Sequence, residues 1–119
     1  MKTQSTILTI AFVLISIFSI AQAKPVVKSE TIKVWGNCGM CKSHIEKAAK
    51  DAGATTATWN KDKKILTVKY DVSKTDNQKI QKSVADAGYD TKDFTGSDEA
   101  YKNLEECCQY DRKAATKKQ

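Results

Sequence analysis

The sequence predicts an α+β domain whose strands and helices follow in the order βαββαβ. Short runs alternate apolar and polar residues, as strands with one buried face do. Longer runs place apolar residues three and four positions apart, as helices with one buried face do. Together these patterns predict strands over residues 31–35, 54–60 and 65–70, a helix after Cys41 that ends near Ala52, and a second helix between Thr75 and Gly88.

The first half of the pattern contains a strand, a cysteine loop and a helix. In the first strand Ile32 and Val34 share one face. The loop that follows contains Cys38 and Cys41, and Gly53 is a natural stop for the helix after it. The apolar stripe of this helix is Ile45, Ala48, Ala49 and Ala52.

The second half begins with a hairpin. The strands over residues 54–60 and 65–70 are joined by the polar turn at residues 60–63. Thr75 and Gln78 fit a capping box that opens the second helix. A weak fourth strand is expected over residues 90–94. The buried stripe of the second helix is predicted to be Ile80, Val84 and Ala87.

Two βαβ halves joined by a hairpin build a four-stranded antiparallel sheet with both helices on one face. The predicted fold is therefore a ferredoxin-like sandwich. Residues 98–109 place Tyr101, Leu104 and Cys108 at helical spacing, which predicts a short C-terminal helical extension. Residues 113–119 are expected to be disordered.

The N-terminal residues have the pattern of a secretory signal peptide. Lys2 precedes an apolar stretch over residues 7–20, and Ala21 and Ala23 form a small-x-small cleavage site. The apolar stretch is short for a membrane span, which needs about 20 residues. We expect a periplasmic or secreted protein whose contact with membrane is limited to this peptide. The expected organisation is a signal peptide (1–23), a linker (24–29), the βαββαβ domain (30–95) and an extension with a basic tail (96–119).

Cleavage after Ala23 would leave 96 residues, enough for one small domain. Losing Lys2 leaves 19 Lys and Arg against 14 Asp and Glu, a net charge of +5. Most basic residues are scattered along the chain. One group near the C-terminal end is interpreted as solvated surface: Arg112, Lys113, Lys117 and Lys118. Because no stripe of basic and aromatic residues appears, nucleic acid is not an expected partner. The positive net charge instead favours docking to an acidic protein surface.

The four cysteines form two close pairs, Cys38 with Cys41 and Cys107 with Cys108. Disulfides that staple exported proteins usually join distant segments, so close pairs favour metal binding or redox work. Amide N–H groups at the helix start favour a negative charge on Cys41. Thiolates select soft ions such as Cu(I). Adjacent cysteines cannot form a relaxed disulfide with each other, which leaves Cys107 and Cys108 as additional metal ligands, redox groups or core residues.

Residues 30–95 resemble a heavy-metal-associated domain, as found in copper chaperones, the periplasmic mercury-binding protein and metal-pumping ATPases. The resemblance rests on the Cys-x-x-Cys after the first strand, Ile45-Glu46-Lys47-Ala48 after it, the βαββαβ order, and Ala87-Gly88-Tyr89-Asp90 after the second helix. It implies that Cys38 and Cys41 are the metal ligands. It also implies that Tyr89 is the aromatic residue beside the metal loop.

The chain departs from the family pattern at the loop. Gly36 stands where the family usually has a Met that packs under the loop, so we expect a loosened loop. Met40 lies between the cysteines and offers a thioether as an additional contact. Asn37 is neutral, whereas zinc-selective members tend to have Asp there, which favours a monovalent ion. His44, one helical turn after Cys41, is an alternative third ligand, although the equivalent family position usually faces solvent.

These observations predict a metallochaperone-like protein without enzymatic activity. It would bind Cu(I) through Cys38 and Cys41 and pass it by thiolate exchange to a metal-transporting membrane protein or efflux component. Hg(II) and Zn(II) are alternative cargoes. We expect a monomer, with a metal-bridged dimer as the alternative. The functional alternatives are a metal-sensing accessory module of a transporter and a thiol–disulfide oxidoreductase. Redox domains of the thioredoxin type need a longer βαβ pattern and a proline opposite the active site, but the single proline here is Pro25.

Overall fold

The computed structural model describes residues 25–113. The predicted signal peptide and the last part of the predicted basic tail, residues 114–119, lie outside the described residues. Between residues 25 and 113, none of the helices has the length and apolar character needed to cross a bilayer. The elements are β1 (Val27–Lys33), α1 (Gly39–Asp51), β2 (Thr56–Asn60), β3 (Ile65–Asp71), α2 (Asn77–Asp86), α3 (Asp98–Lys102) and a 3-10 turn (Glu106–Cys108).

The three strands form an antiparallel sheet in the order β1-β3-β2. Along β2 and most of β3 buried and exposed residues alternate, so one face of the sheet is covered, whereas the first half of β1 is largely exposed. Ile32 pairs with Leu66 in the β1–β3 register, and Ala57 pairs with Val68 in the β2–β3 register. All four side chains are buried in the core, as the alternation in the sequence predicts.

Helices α1 and α2 pack against each other, and α1 also packs on β2. The inward residues of α1 include Ile45, Ala48 and Ala49, as predicted. The capping box predicted at Thr75 is wrong. The N-cap of α2 is Asp76, whose side chain accepts a hydrogen bond from the Lys79 backbone N–H at 2.8 Å. Aspartate is as effective at this position as threonine, so the helix begins one residue later than expected.

The fourth strand is reduced to an isolated bridge between Val34 and Thr91. Its continuation is prevented because the backbone of residues 91–94 forms a turn, in which the Thr91 N–H donates to the Phe94 carbonyl oxygen. The side-chain oxygen of Gln81 accepts hydrogen bonds from the Thr91 hydroxyl and the Asp93 N–H. Side-chain partners therefore replace the strand ladder here, and the ferredoxin-like fold has a three-stranded sheet.

The extension after the domain is not the single helix predicted over residues 98–109. Helix α3 ends at its C-cap Asn103, and the chain resumes as the short turn Glu106–Cys108. Beyond it, Tyr110 is buried and stacks on Tyr89, with ring centroids 5.6 Å apart. The Tyr110 hydroxyl donates to the Gly88 carbonyl oxygen and accepts from the Asp90 N–H, at 2.8 and 2.7 Å. The extension is thus part of the core.

An ion pair fixes the last described residues of the extension. Asp90 is fully buried, and its carboxylate accepts hydrogen bonds from the Arg112 guanidinium at 2.9 Å, the Gly96 N–H at 2.6 Å and the Lys113 N–H at 3.0 Å. Arg112 also pairs with Asp98. The interpretation of Arg112 and Lys113 as merely solvated basic residues is therefore wrong, because both bind to residues 90–98.

Candidate metal centre

The Cys-x-x-Cys loop connects β1 to α1 at one end of the sheet. Cys38 is the N-cap residue of α1, and Cys41 lies in the first turn. Cys41 is fully buried and Cys38 is half-buried. Their sulfur atoms are 3.7 Å apart, so both can reach one ion from the same loop.

The loop is well packed, contrary to the expectation that Gly36 would loosen it. The buried indole of Trp59 fills the space beside Gly36, where a Cβ would lie only 2.8 Å from the ring. The Trp59 ring N–H donates to the Val34 carbonyl oxygen at 3.1 Å, and its backbone N–H donates to the Glu46 carboxylate at 2.8 Å. That carboxylate also pairs with Lys42 on α1. The Trp59 ring therefore fills the space beside Gly36, the position where the family usually has a Met that packs under the loop.

Replacing Gly36 with alanine is expected to destabilise the fold by about 1–3 kcal/mol, because the added methyl group overpacks against the Trp59 ring. The measurement is urea unfolding of the full chain. Gly39→Ala is the matched control, since a Cβ at Gly39 meets nothing within 4 Å. Equal midpoints for the two variants would contradict the tight packing between Gly36 and Trp59.

The extension brings a third thiol to the loop. The sulfur of Cys108 lies 3.7 Å from that of Cys38, and Cys108 is fully buried. The sulfur atoms of Cys38, Cys41 and Cys108 all lie within 4.8 Å of one another. Among the described residues this is the single group of three or more Cys, His, Asp or Glu side chains close enough to share an ion. We call it the three-sulfur cluster.

Cys107 lies outside the three-sulfur cluster and is exposed. Its thiol approaches the thioether of Met40, with the sulfur atoms 3.5 Å apart. The Met40 side chain is itself 39% exposed. The Cys107 carbonyl oxygen accepts a hydrogen bond from the Asn37 side chain at 3.2 Å, which links the extension to the loop directly. The sulfur atoms of Cys107 and Cys108 are 3.9 Å apart, but only Cys108 belongs to the three-sulfur cluster.

Tyr89 and His44 form a polar contact behind the loop. Tyr89 is fully buried, and its hydroxyl lies 2.9 Å from Nδ1 of His44. Burial raises the pKa of Tyr89, and the nearby thiols of Cys41 and Cys108 raise it further. Tyr89 therefore lies close to the thiols of Cys41 and Cys108. His44 pairs with Tyr89 and is not part of the three-sulfur cluster.

A family model for the heavy-metal-associated domain matches residues 37–90. Among solved structures, the CopZ metallochaperone is 35% identical, with a TM-score of 0.51, over 54% of this chain and 98% of that chain. The chain belongs to the heavy-metal-associated domain family. The expectation from the loop motif and the element order is thus confirmed.

Two further structures resemble this heavy-metal-associated domain. A candidate copper-ion-binding protein from Bacillus anthracis strain Ames is 25% identical, with a TM-score of 0.54, over 58% of this chain and all of that chain. Oxidized MerP from Ralstonia metallidurans CH34 is 29% identical, with a TM-score of 0.53, over 56% of this chain and 94% of that chain. A search of curated proteins found no significant match.

The thiols of this heavy-metal-associated domain differ in their electrostatic surroundings. The backbone N–H of Cys41 lowers the pKa of Cys38 to about 7; burial opposes this, and the Met40 N–H and the neighbouring thiols add to the lowering. Both N–H groups belong to the first turn of α1, where the amides that lack helical partners favour a negative charge. Burial raises the pKa of Cys108, and the nearby thiols of Cys41 and Cys38 add to it. Cys38 is therefore readily ionised near neutral pH.

Sequence reasoning missed the residues that bring the extension to this centre. Tyr110 follows Cys108 by two positions, and the Cys-Cys-x-Tyr spacing was the available signal. Trp59 is a second residue that sequence reasoning missed, since it lies directly beside the loop. The packing of Trp59 beside the loop depends on a contact between β2 and Gly36, and no local sequence pattern predicts such a contact.

Proposed function

We propose that the protein is an exported carrier of a soft metal ion, with Cu(I) as the cargo, held by Cys38 and Cys41. The observation that carries the proposal is the pair of sulfur atoms 3.7 Å apart at the start of α1. One thiol of the pair is half-buried and ionises readily, while the other is fully buried. A site with one accessible ligand supports both retention and release of the ion.

The donor set supports a soft cargo. The loop offers thiols and a nearby thioether, and these donors select Cu(I) over Mg²⁺ or Ca²⁺. Structural zinc normally takes four ligands, whereas the loop itself supplies two thiols. The neutral Asn37 adds no negative charge for a divalent ion. Cu(I) therefore fits best, and Hg(II) and then Zn(II) are the alternative cargoes.

Release is proposed to occur by thiolate exchange. A thiolate of the acceptor protein adds to the ion from the side of Cys38, and a thiolate of this chain then leaves; no electron is transferred. The acceptor we propose is a metal-transporting membrane protein or an efflux component. The basic surface of the chain supports an acidic docking face on that acceptor. In a periplasmic or secreted setting, prior metal occupancy or a reductant must keep Cys38 and Cys41 from oxidation.

The test is an anaerobic titration of the reduced full-length chain with Cu(I), in competition with a chromogenic Cu(I) chelator. We expect one equivalent to be withdrawn from the chelator, since residues 25–113 hold one cluster of sulfur atoms. The loaded protein should then pass its ion to a dithiol acceptor faster than a chelator removes it by dissociation. Failure to compete for any Cu(I) would overturn the proposal.

A thiol–disulfide oxidoreductase is the second candidate, because the pKa of Cys38, at about 7, is also suited to nucleophilic attack on a disulfide. The same preparation distinguishes the two. The carrier is expected to show no insulin reduction above the rate of dithiothreitol alone, and substantial turnover would favour the oxidoreductase. A metal-sensing accessory module would bind Cu(I) but would dock to its transporter without passing the ion on.

A further inference from the structure

The extension supplies a sulfur atom at the open side of the loop pair. Cys108 lies 3.7 Å from Cys38, and all three sulfur atoms of the cluster lie within 4.8 Å. We propose that Cys108 is a third thiolate ligand, so that the soft ion is held in a three-coordinate site closed by the C-terminal extension. This rests on the proposed function, because it concerns the ion that Cys38 and Cys41 hold.

The spacing of the sulfur atoms fits three-fold coordination. At a metal–sulfur distance of about 2.3 Å, three sulfur atoms around one ion lie about 4.0 Å apart, whereas two opposite sulfur atoms lie about 4.6 Å apart. The distances from Cys38 to Cys41 and to Cys108 are both 3.7 Å. Both are shorter than a linear pair requires and close to the side of the triangle, and the third distance, from Cys41 to Cys108, is within 4.8 Å. Small movements of the thiols are enough to centre an ion.

Cys108 is held in place by residues that make no contact with the ion. Two positions later, Tyr110 is buried against Tyr89 and hydrogen-bonded to the Gly88 carbonyl oxygen. Arg112 then pairs with the buried Asp90. A ligand that is already fixed loses little conformational freedom when the ion arrives. Tyr110 and Arg112 are therefore positioning residues for Cys108.

The neighbouring Cys107 serves as an internal contrast. It carries the same thiol one residue earlier, but it is exposed, packs against Met40 and is not part of the three-sulfur cluster. The proposal assigns the ion to Cys108 and not to Cys107. Comparing the two cysteines separates the effect of a ligand from the effect of merely removing a thiol.

When Cu(I) binds, it replaces the protons of the ligand thiols. Each thiol that becomes a ligand gives its proton to solvent, and the oxidation state of Cu(I) does not change. Because Cys41 and Cys108 are fully buried while Cys38 is half-buried, an acceptor thiolate reaches the ion from the Cys38 side. The third thiolate should therefore tighten binding and slow loss of the ion to solvent, while leaving one direction open for exchange.

The experiment is X-ray absorption spectroscopy on the full-length chain, loaded with one equivalent of Cu(I) and freed of small-molecule thiols. We expect three sulfur neighbours for the wild type and for Cys107→Ser, and two for Cys108→Ser. In chelator competition, Cys108→Ser should lose at least about tenfold in affinity, or about 1.4 kcal/mol. Cys107→Ser should remain within about twofold of the wild type, a shift well below the 1.4 kcal/mol of a tenfold change.

Two sulfur neighbours in the wild type would overturn the third ligand, and this needs no variant to fold. Such a result leaves the two-thiol carrier intact, whereas a wild type that takes up no Cu(I) defeats the carrier itself. Sedimentation of each loaded sample identifies the source of the third sulfur. If Cys108→Ser keeps three sulfur neighbours and sediments as a dimer, the third ligand comes from a second copy of the chain, and the proposal is wrong.

Discussion

Replacing both Cys38 and Cys41 with serine is expected to lower Cu(I) affinity at least about 1,000-fold, equivalent to about 4 kcal/mol. The double variant retains Cys108 but loses the two sulfur atoms that lie 3.7 Å apart in the loop. Serine hydroxyls are hard, weak donors to a soft ion. The measurement is competition with a chromogenic chelator under anaerobic conditions.

Two control variants make this result specific. His44→Ala removes the alternative ligand that the sequence offered, and it should leave the affinity nearly unchanged because His44 pairs with Tyr89. Cys107→Ser removes an exposed thiol outside the three-sulfur cluster. Tight binding that persists without Cys38 and Cys41 would show that the ion is held elsewhere.

Replacing Asp90 with asparagine is expected to lower the free energy of unfolding by about 3 kcal/mol. The buried carboxylate accepts hydrogen bonds from Arg112 and from the backbone N–H groups of Gly96 and Lys113. Asparagine offers one acceptor oxygen, so the Arg112 charge loses its buried partner and at least one donor loses its acceptor. Small domains are stable by only about 5–15 kcal/mol, so urea unfolding should detect the change easily.

The control for this prediction is Asp86→Asn, which removes an exposed ion pair with Lys82 and should cost less than about 1 kcal/mol. A pH series gives a second readout. Burial alone would raise the pKa of Asp90, but its hydrogen bonds with Arg112 and the Gly96 and Lys113 N–H groups hold it below the ordinary 3.8. Its stabilising contribution is therefore complete above pH 3.8 and is lost as the pH falls below that value. Equal acid sensitivity in wild type and Asp90→Asn would argue against this role.

The parts of the fold that obey local rules could be predicted from the sequence. The strand alternation at Leu66 and Val68, and the helical stripe at Ile45 and Ala49, both match the buried faces. The prediction of a fourth strand was wrong because the Gln81 side-chain oxygen accepts hydrogen bonds from Thr91 and Asp93 in competition with the strand ladder. Apolar periodicity does not report such competition. The N-cap of α2 is Asp76 and not Thr75, because the two adjacent residues are both good capping residues and the sequence pattern does not choose between them.

The candidate metal centre likewise has one part that local sequence predicts and one part that it does not. The loop thiols Cys38 and Cys41 are three residues apart, so their proximity follows from local geometry. Cys108 is 70 residues from Cys38, and its approach depends on Tyr110 and Arg112 packing against residues 88–98. Such a contact between distant segments has no periodic signature. The sequence therefore left Cys108 open as a ligand, a redox group or a core residue.

The packing of Tyr110 on Tyr89 affects how the domain is made. The last described residues, 108–113, cover a surface formed much earlier in synthesis, so folding finishes only after they have left the ribosome. Contacts across such long sequence separations slow folding. Until they form, Cys38 and Cys41 lack the cover that Cys108 provides, and an oxidant has its best access to them during this interval.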